Sequence, residues 1–99
     1  MKTTVTKSDF RDAFRKMGRD NFSYDGLGAL FDYLEEYEES NDTITELDVI
    51  AFCCEFTEYE NIAEFHENYD KEDYPDMTSI NNATAVIKIH GTMFIIQDF

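Results

Sequence analysis

The stretch AVIKIHGTMFII, residues 85–96, decides the fold. Two runs rich in β-branched and aromatic residues, 85–89 and 92–96, flank His90 and Gly91. A two-residue link of the X-Gly kind is typical of tight antiparallel hairpins. The sequence therefore predicts a β-hairpin at residues 85–96.

A third strand is predicted upstream, in the almost continuously apolar run LDVIAFCC at residues 47–54. The run is short, bounded by polar clusters and rich in β-branched and aromatic residues, which favours a buried strand over a helix. Residues 70–82 between this region and the hairpin are polar and predict an irregular connection, with one helical turn after Pro75.

Three helices complete the predicted set. Ser8 can cap a helix over 9–17 that ends at Gly18, with Phe10, Ala13, Phe14 and Met17 as its buried stripe. Ser23 can cap a second helix that continues to Glu39, and residues 57–60 have the capping-box form before a third helix that extends to residue 69.

The predicted order is ααβαββ. A three-stranded, mostly antiparallel sheet with the helices packed on one face is the simplest way to bury every apolar stripe. We expect an α+β fold in a single domain, residues 1–99, since no Pro/Gly-rich linker divides the chain.

Charge is the most unusual property of the composition. The chain has 22 Asp and Glu against 8 Lys and Arg, a net charge of −14, and six of the eight bases lie in the first 19 residues. Affinity for nucleic acid comes largely from Lys and Arg that neutralise phosphates, so direct nucleic-acid binding is disfavoured. A basic protein surface is the expected partner.

Two sets of carboxylates fall on the polar faces of the predicted helices. The first acidic ridge, from the second helix, consists of Asp25, Asp32, Glu36 and Glu39, with Glu35 beside it. The second acidic ridge, from the third helix, consists of Glu60, Glu64 and Glu67. Solvated helix faces are often acidic, but like charges at i,i+4 destabilise a helix and almost no Lys offsets them here.

Tyrosines recur beside these carboxylates. Tyr33 and Tyr37, at i and i+4 next to the first acidic ridge, are the candidate anchors for a partner, because Tyr buries a large area and keeps a polar tip. The alternative is that both rings only shield the edge of the core.

The bases of the first helix, Arg11, Arg15, Lys16 and Arg19, point away from its apolar stripe. They either meet an acidic ridge of another copy or pair with acids of their own chain. The uncharged run 93–96 could also leave an open sheet edge that invites pairing. Together these features predict a homodimer.

Catalytic and metal chemistry are not indicated. Cys53 and Cys54 are adjacent, which suits neither a disulfide nor a tetrahedral metal site, and we expect two reduced, buried thiols. The acidic segment 70–76 has Pro75 where a calcium-binding loop needs glycine. No phosphate loop or nucleophile motif is present, so we expect neither enzymatic activity nor a cofactor or metal.

Three segments resemble those of small proteins carried by phages and prophages: YLEEYEE at 33–39, ELDVIAFCCEF at 46–56 and FIIQDF at 94–99. In size and acidity the chain is also similar to phage anti-defence proteins, namely anti-CRISPR and antirestriction DNA mimics. The resemblance implies inhibition of a host nuclease or surveillance complex by occupation of its DNA-binding groove.

Two functions therefore compete. The first is a non-enzymatic inhibitor whose carboxylates replace phosphates on a nucleic-acid-binding host protein. The second is a regulatory or structural interaction module whose acidity serves solubility. Neither a signal peptide nor a membrane-spanning apolar run is seen, so we expect a cytoplasmic protein, in the host cell if a phage encodes it.

Overall fold

The computed structural model describes residues 5–43 and 46–99. The elements, in chain order, are α1 (Lys7–Lys16), α2 (Tyr24–Asn41), α3 (Val49–Glu55), β1 (Phe56–Tyr59), α4 (Ile62–Phe65), α5 (Met77–Ala83), β2 (Val86–Lys88) and β3 (Phe94–Gln97). The strands form one antiparallel sheet in the order β1-β3-β2. The predicted α+β class and the three-stranded antiparallel sheet are confirmed, although the first strand lies at a different place in the chain.

The hairpin forms as predicted, but its link is longer by one residue. Ile87 lies opposite Ile95, and the Ile89 N–H donates to the Met93 carbonyl over 3.1 Å. Three residues, 90–92, therefore connect the strands instead of two. Gly91 has φ +55°, in the left-handed region that glycine adopts without a Cβ clash.

The hairpin divides the core between the two faces of the sheet. Ile87 and Ile95 face a cluster built from α1, α2 and α3, whereas Phe94 and Ile96 face a second cluster around Phe65 and Ile80 of α4 and α5. Alternate residues of a strand point to opposite faces, so helices cover both sides of the sheet. The expected arrangement had them on one side.

The first two helices form close to the predicted positions. α1 begins two residues earlier than expected, because Thr6 and Asp9 form a capping box, and the Thr6 N–H lowers the pKa of the Asp9 carboxyl. Phe10 and Phe14 are buried as predicted, but Met17 is half exposed at the end of the helix. Gly18 follows with φ +67°, in the predicted stop position.

The predicted cap of α2 is confirmed: the Ser23 hydroxyl accepts a hydrogen bond from the Gly26 N–H at 2.9 Å. Leu27, Leu30 and Leu34 are buried beneath α2, and the helix continues to Asn41, two residues past the expected end. This helix carries the first acidic ridge.

The predicted strand over 47–54 is wrong. Asp48 caps α3 by accepting from the Ala51 N–H at 3.0 Å, and the helix buries Val49 and Phe52 against the first cluster. The strand begins at Phe56 instead, where the chain pairs with β3. An apolar run of this length suits a buried helix as well as a strand, and the Asp48 cap decides between them.

The predicted helix over 57–69 is wrong for most of its length. Thr57 to Tyr59 belong to β1, and Asn61, not Thr57, caps the single turn α4. Residues 57–59 pair with β3 and therefore form a strand, although the capping-box pattern at 57–60 predicted the start of a helix there. The region expected to be irregular instead contains α5, which is capped by Asp76 and is longer than the expected single turn.

Candidate acidic surface and the grooves beside it

The first acidic ridge lies on the exposed side of α2. Asp25, Asp32, Glu36 and Glu39 are all exposed, opposite the buried leucines, and Glu35 beside them is half-buried. The predicted placement on one helix face is therefore observed. Their charges, however, are balanced very differently at the two ends of the helix.

Side chains of the same fold contact two carboxylates in the first half of this ridge. The Lys7 ammonium lies 3.0 Å from the Asp32 carboxylate, and His90 Nε2 lies 2.9 Å from Asp25 Oδ2. These partners are 25 and 65 residues away along the chain, so no spacing pattern in the sequence identifies them. The four side chains line an open groove of about 570 Å³ where α1, α2 and β2 meet.

Four carboxylates near the end of α2 have no such contacts within the part of the chain that the structure describes. We call Glu35, Glu36, Glu39 and the C-cap residue Asp42 the acidic end. Within residues 5–43 and 46–99, no Lys, Arg or His lies within ion-pair distance of these four carboxylates. The last turn of α2 contains no basic residue, so the negative pole of the helix dipole adds to their field.

Most of the bases on α1 are engaged inside the fold. Arg11 donates to the Tyr24 carbonyl at 3.0 Å and stacks 3.6 Å above the Tyr24 ring, and Arg15 pairs with Asp12. Lys16 and Arg19 remain exposed. Of the two predicted roles for this basic face, pairing with acids of the same chain is seen for Arg15, whereas Arg11 contacts Tyr24 instead.

The second acidic ridge does not form as predicted, because its helix does not form. Glu60 follows β1, Glu64 lies in the one-turn helix α4, and Glu67 lies in the turn beyond it. Glu60 and Glu67 are exposed, whereas Glu64 is half-buried. The regular i,i+3 and i,i+4 spacing that would align their carboxylates is therefore absent.

The two candidate anchor tyrosines have different surroundings. The Tyr33 ring is half-buried and meets the Phe56 ring edge-on at a centroid distance of 6.3 Å. The Tyr37 ring is 48% exposed one turn later. Both line a groove of about 220 Å³ between α2, α3 and the sheet. Tyr33 thus belongs to the core edge, and Tyr37 can contact a partner.

The sheet order removes one of the two reasons for expecting a dimer. β3 contains most of the uncharged run 93–96 and lies in the centre of the sheet, hydrogen-bonded on both sides, so it offers no open edge. The edges are β1 and the three-residue β2, which carries Lys88. The homodimer stays a prediction that rests on the exposed bases of α1.

The thiols are less buried than expected. Cys54 is exposed and Cys53 is half-buried on α3, both are free, and burial raises the pKa of the Cys53 thiol.

Among the described residues, no group of three or more His, Cys, Asp or Glu side chains could hold a metal ion. In the same part of the chain, no helix is long and apolar enough to cross a membrane.

Comparison of the chain with protein-family models, with curated proteins and with solved structures finds no match. The functional argument therefore rests on the surface described above.

Proposed function

We propose that this protein is a non-enzymatic inhibitor of the phage anti-defence type. It binds a basic, nucleic-acid-binding surface of a host protein in the cytoplasm of the host cell. The acidic end of α2 takes the place of nucleic-acid phosphates in that complex.

The observation that carries the proposal is the uncompensated charge of the acidic end. Near the start of α2, Lys7 forms an ion pair with Asp32 and His90 contacts Asp25, whereas no Lys, Arg or His of residues 5–43 and 46–99 lies within ion-pair distance of the four carboxylates near the end. Like charges three and four residues apart cost a helix a few tenths of a kcal/mol per pair. A cationic partner surface would convert that repulsion into attraction.

The spacing of the acidic end supports mimicry of a phosphate backbone. Helical neighbours at i,i+3 and i,i+4 lie roughly 5–6 Å apart, which is comparable to the separation of successive phosphates along a strand. Glu39 has this relationship to both Glu35 and Glu36, which precede it by four and three residues. Lys and Arg side chains that normally track a nucleic-acid strand can therefore reach several of these carboxylates at once.

The competing function is an interaction module that binds through aromatic side chains. The exposed Tyr37 ring beside an apolar groove favours it. The two functions differ in their response to salt, because screening weakens attraction between exposed charges and leaves apolar contacts largely intact. Binding that survives high salt but is lost in Tyr37→Ala identifies the module.

The decisive experiment uses two variants of equal net charge. One carries Glu35→Gln, Glu36→Gln, Glu39→Gln and Asp42→Asn. The other carries Glu60→Gln, Glu67→Gln, Glu72→Gln and Asp73→Asn, which are exposed acids outside the acidic end. Each immobilised variant is compared with the wild type for the proteins it captures from host lysate and for the salt dependence of capture.

We expect the wild type to retain nucleic-acid-binding proteins and to release them as salt rises or as DNA competes. The first variant should bind at least about tenfold more weakly, and the second should bind nearly as well as the wild type. Equal loss in both variants would show that bulk charge, not the acidic end, is responsible. Capture of only proteins without nucleic-acid function would refute the proposal.

A further inference from the structure

The groove beside Tyr37 combines aromatic rings with a carboxylate. We call it the Tyr37 slot; the side chains that matter here are Tyr33, Tyr37, Phe52, Glu55 and Phe56. α2 contributes the two tyrosines, α3 contributes Phe52 and Glu55, and β1 contributes Phe56. The slot lies on the α2 face next to the acidic end.

Packing fixes the floor of the slot. Phe52 and Phe56 are each 4% exposed and their ring centroids lie 6.5 Å apart, while Tyr33 packs edge-on against Phe56. Tyr37, at 48% exposure, forms a wall whose ring is open to a ligand. The volume of about 220 Å³ is that of a side-chain pocket, not of a small-molecule site.

The carboxylate determines which side chain fits. Glu55 is exposed and is the last residue of α3, and no cation of the described residues forms an ion pair with it. Aromatic ring faces attract cations, and a nearby carboxylate strengthens the preference. The slot is therefore complementary to a positively charged side chain with an apolar stem.

We propose that the Tyr37 slot binds an arginine side chain of the partner. The planar guanidinium stacks against the Tyr37 ring while its N–H groups donate to the Glu55 carboxylate, and the apolar stem covers Phe52 and Phe56. Arginine suits this site better than lysine, because its guanidinium is planar, weakly hydrated and able to donate two parallel hydrogen bonds. The inference rests on the proposed function in that both require a basic partner surface.

The test uses a small probe, so it does not depend on the identity of the partner. The full chain is titrated with N-acetyl-arginine methylamide, and the tyrosine ring resonances are followed by NMR. The matched probes are the lysine and citrulline counterparts; citrulline keeps the shape of arginine but has no charge. We expect millimolar binding of the arginine probe with shifts at Tyr37, and at least about fivefold weaker binding of the other two.

Matched variants locate the site. Tyr37→Ala should weaken binding of the arginine probe at least about fivefold, whereas Tyr37→Phe, which keeps the ring, should stay within about twofold of the wild type. Phe99→Ala removes a ring that is also 48% exposed but stacks on Tyr69, outside the slot, so it should have no effect. Glu55→Gln should weaken binding more than Glu46→Gln, which removes the same charge outside the slot.

Equal affinity for arginine and citrulline, or equal loss in Glu55→Gln and Glu46→Gln, would overturn the proposed arginine site. Absence of any Tyr37 shift at probe concentrations of about 20 mM would overturn it too. Neither result affects the capture experiment, which can still support the inhibitor function. Conversely, a bound arginine probe supports the slot even when no nucleic-acid-binding protein is captured.

Discussion

At the scale of single residues, Glu58 of β1 stabilises the start of α2 through hydrogen bonds to its cap residue. Its carboxylate accepts hydrogen bonds from the Ser23 N–H at 3.0 Å and from the Ser23 hydroxyl at 3.1 Å. The negative charge also lies at the positive pole of the helix. A Cβ on Gly26 would lie 1.7 Å from Glu58 Oε1, so only glycine leaves room for this carboxylate.

We predict that the effect of Gly26→Ala changes sign when Glu58 is removed. In the wild type the new methyl group displaces the carboxylate, and the lost hydrogen bonds, worth roughly 1.5–3 kcal/mol, outweigh the helix preference of alanine, about 1 kcal/mol. In a Glu58→Ala background the remaining tight contact of the new Cβ is Ser23 Oγ at 3.0 Å, which a shift of a few tenths of an ångström relieves, so the helix preference dominates and Gly26→Ala should stabilise. Urea unfolding of the four proteins measures this, and identical effects in both backgrounds would contradict the close approach.

The two thiols should react at different rates. Cys54 is exposed, whereas Cys53 is half-buried and burial raises the pKa of its thiol, so less of the reactive thiolate is present at a given pH. We expect iodoacetamide to label Cys54 first, and the labelling of Cys53 to rise only at a pH above the usual range for a thiol. Mass spectrometry of peptides from time points at several pH values reports both rates; equally fast labelling of Cys53 would contradict its observed burial.

At the scale of elements, α3 is the segment where local sequence supports two structures. The run 49–55 contains β-branched and aromatic residues that suit a strand, yet it folds as a helix. Asp48 supplies the difference: its side chain accepts from the Ala51 N–H and its carbonyl from the Phe52 N–H. The helix then places Phe52 in the core and Glu55 at the Tyr37 slot.

We predict that Asp48→Ala destabilises the protein by about 1 kcal/mol, because the cap is lost. Asp48→Asn, which keeps a capping oxygen, should remain within a few tenths of a kcal/mol of the wild type. Chemical denaturation of the three proteins provides the comparison. Equal stability of the alanine variant would show that the helix does not depend on this cap.

At the scale of the whole molecule, the dominant property is uncompensated negative charge. Lys7 and Arg15 form ion pairs with acids and His90 contacts Asp25, but the 22 acidic side chains far outnumber the 8 basic ones. The negative side chains of the folded molecule therefore repel one another. Unfolding, or binding to a cationic partner, relieves this repulsion.

Added salt should consequently stabilise this protein. Between about 10 mM and 500 mM NaCl we expect the free energy of unfolding to rise by about 1 kcal/mol, because screening weakens the repulsion more than it weakens exposed ion pairs such as Lys7–Asp32 and Arg15–Asp12. Thermal unfolding at matched pH reports the change. A fall in stability with salt would mean that the ion pairs outweigh the repulsion.

Local patterns determined much of the fold. The hairpin at 85–96, the helix after Ser23 and the acidic face of that helix follow from residues close together in sequence, because turn chemistry, caps and helix periodicity act over a few positions. The net charge, and with it the expectation of a basic partner, likewise requires only composition. These features agree with the structure, and the partner itself stays a proposal.

Tertiary structure alone decided the rest. Pairing of β1 with β3 turned residues 57–59 from a predicted helix start into a strand. The contacts of Lys7 with Asp32 and of His90 with Asp25 decided which carboxylates of the first acidic ridge have a partner within the fold. The physical reason is that strand pairing and these side-chain contacts join residues 25 to 65 positions apart, whereas local propensity depends only on residues close together in the sequence.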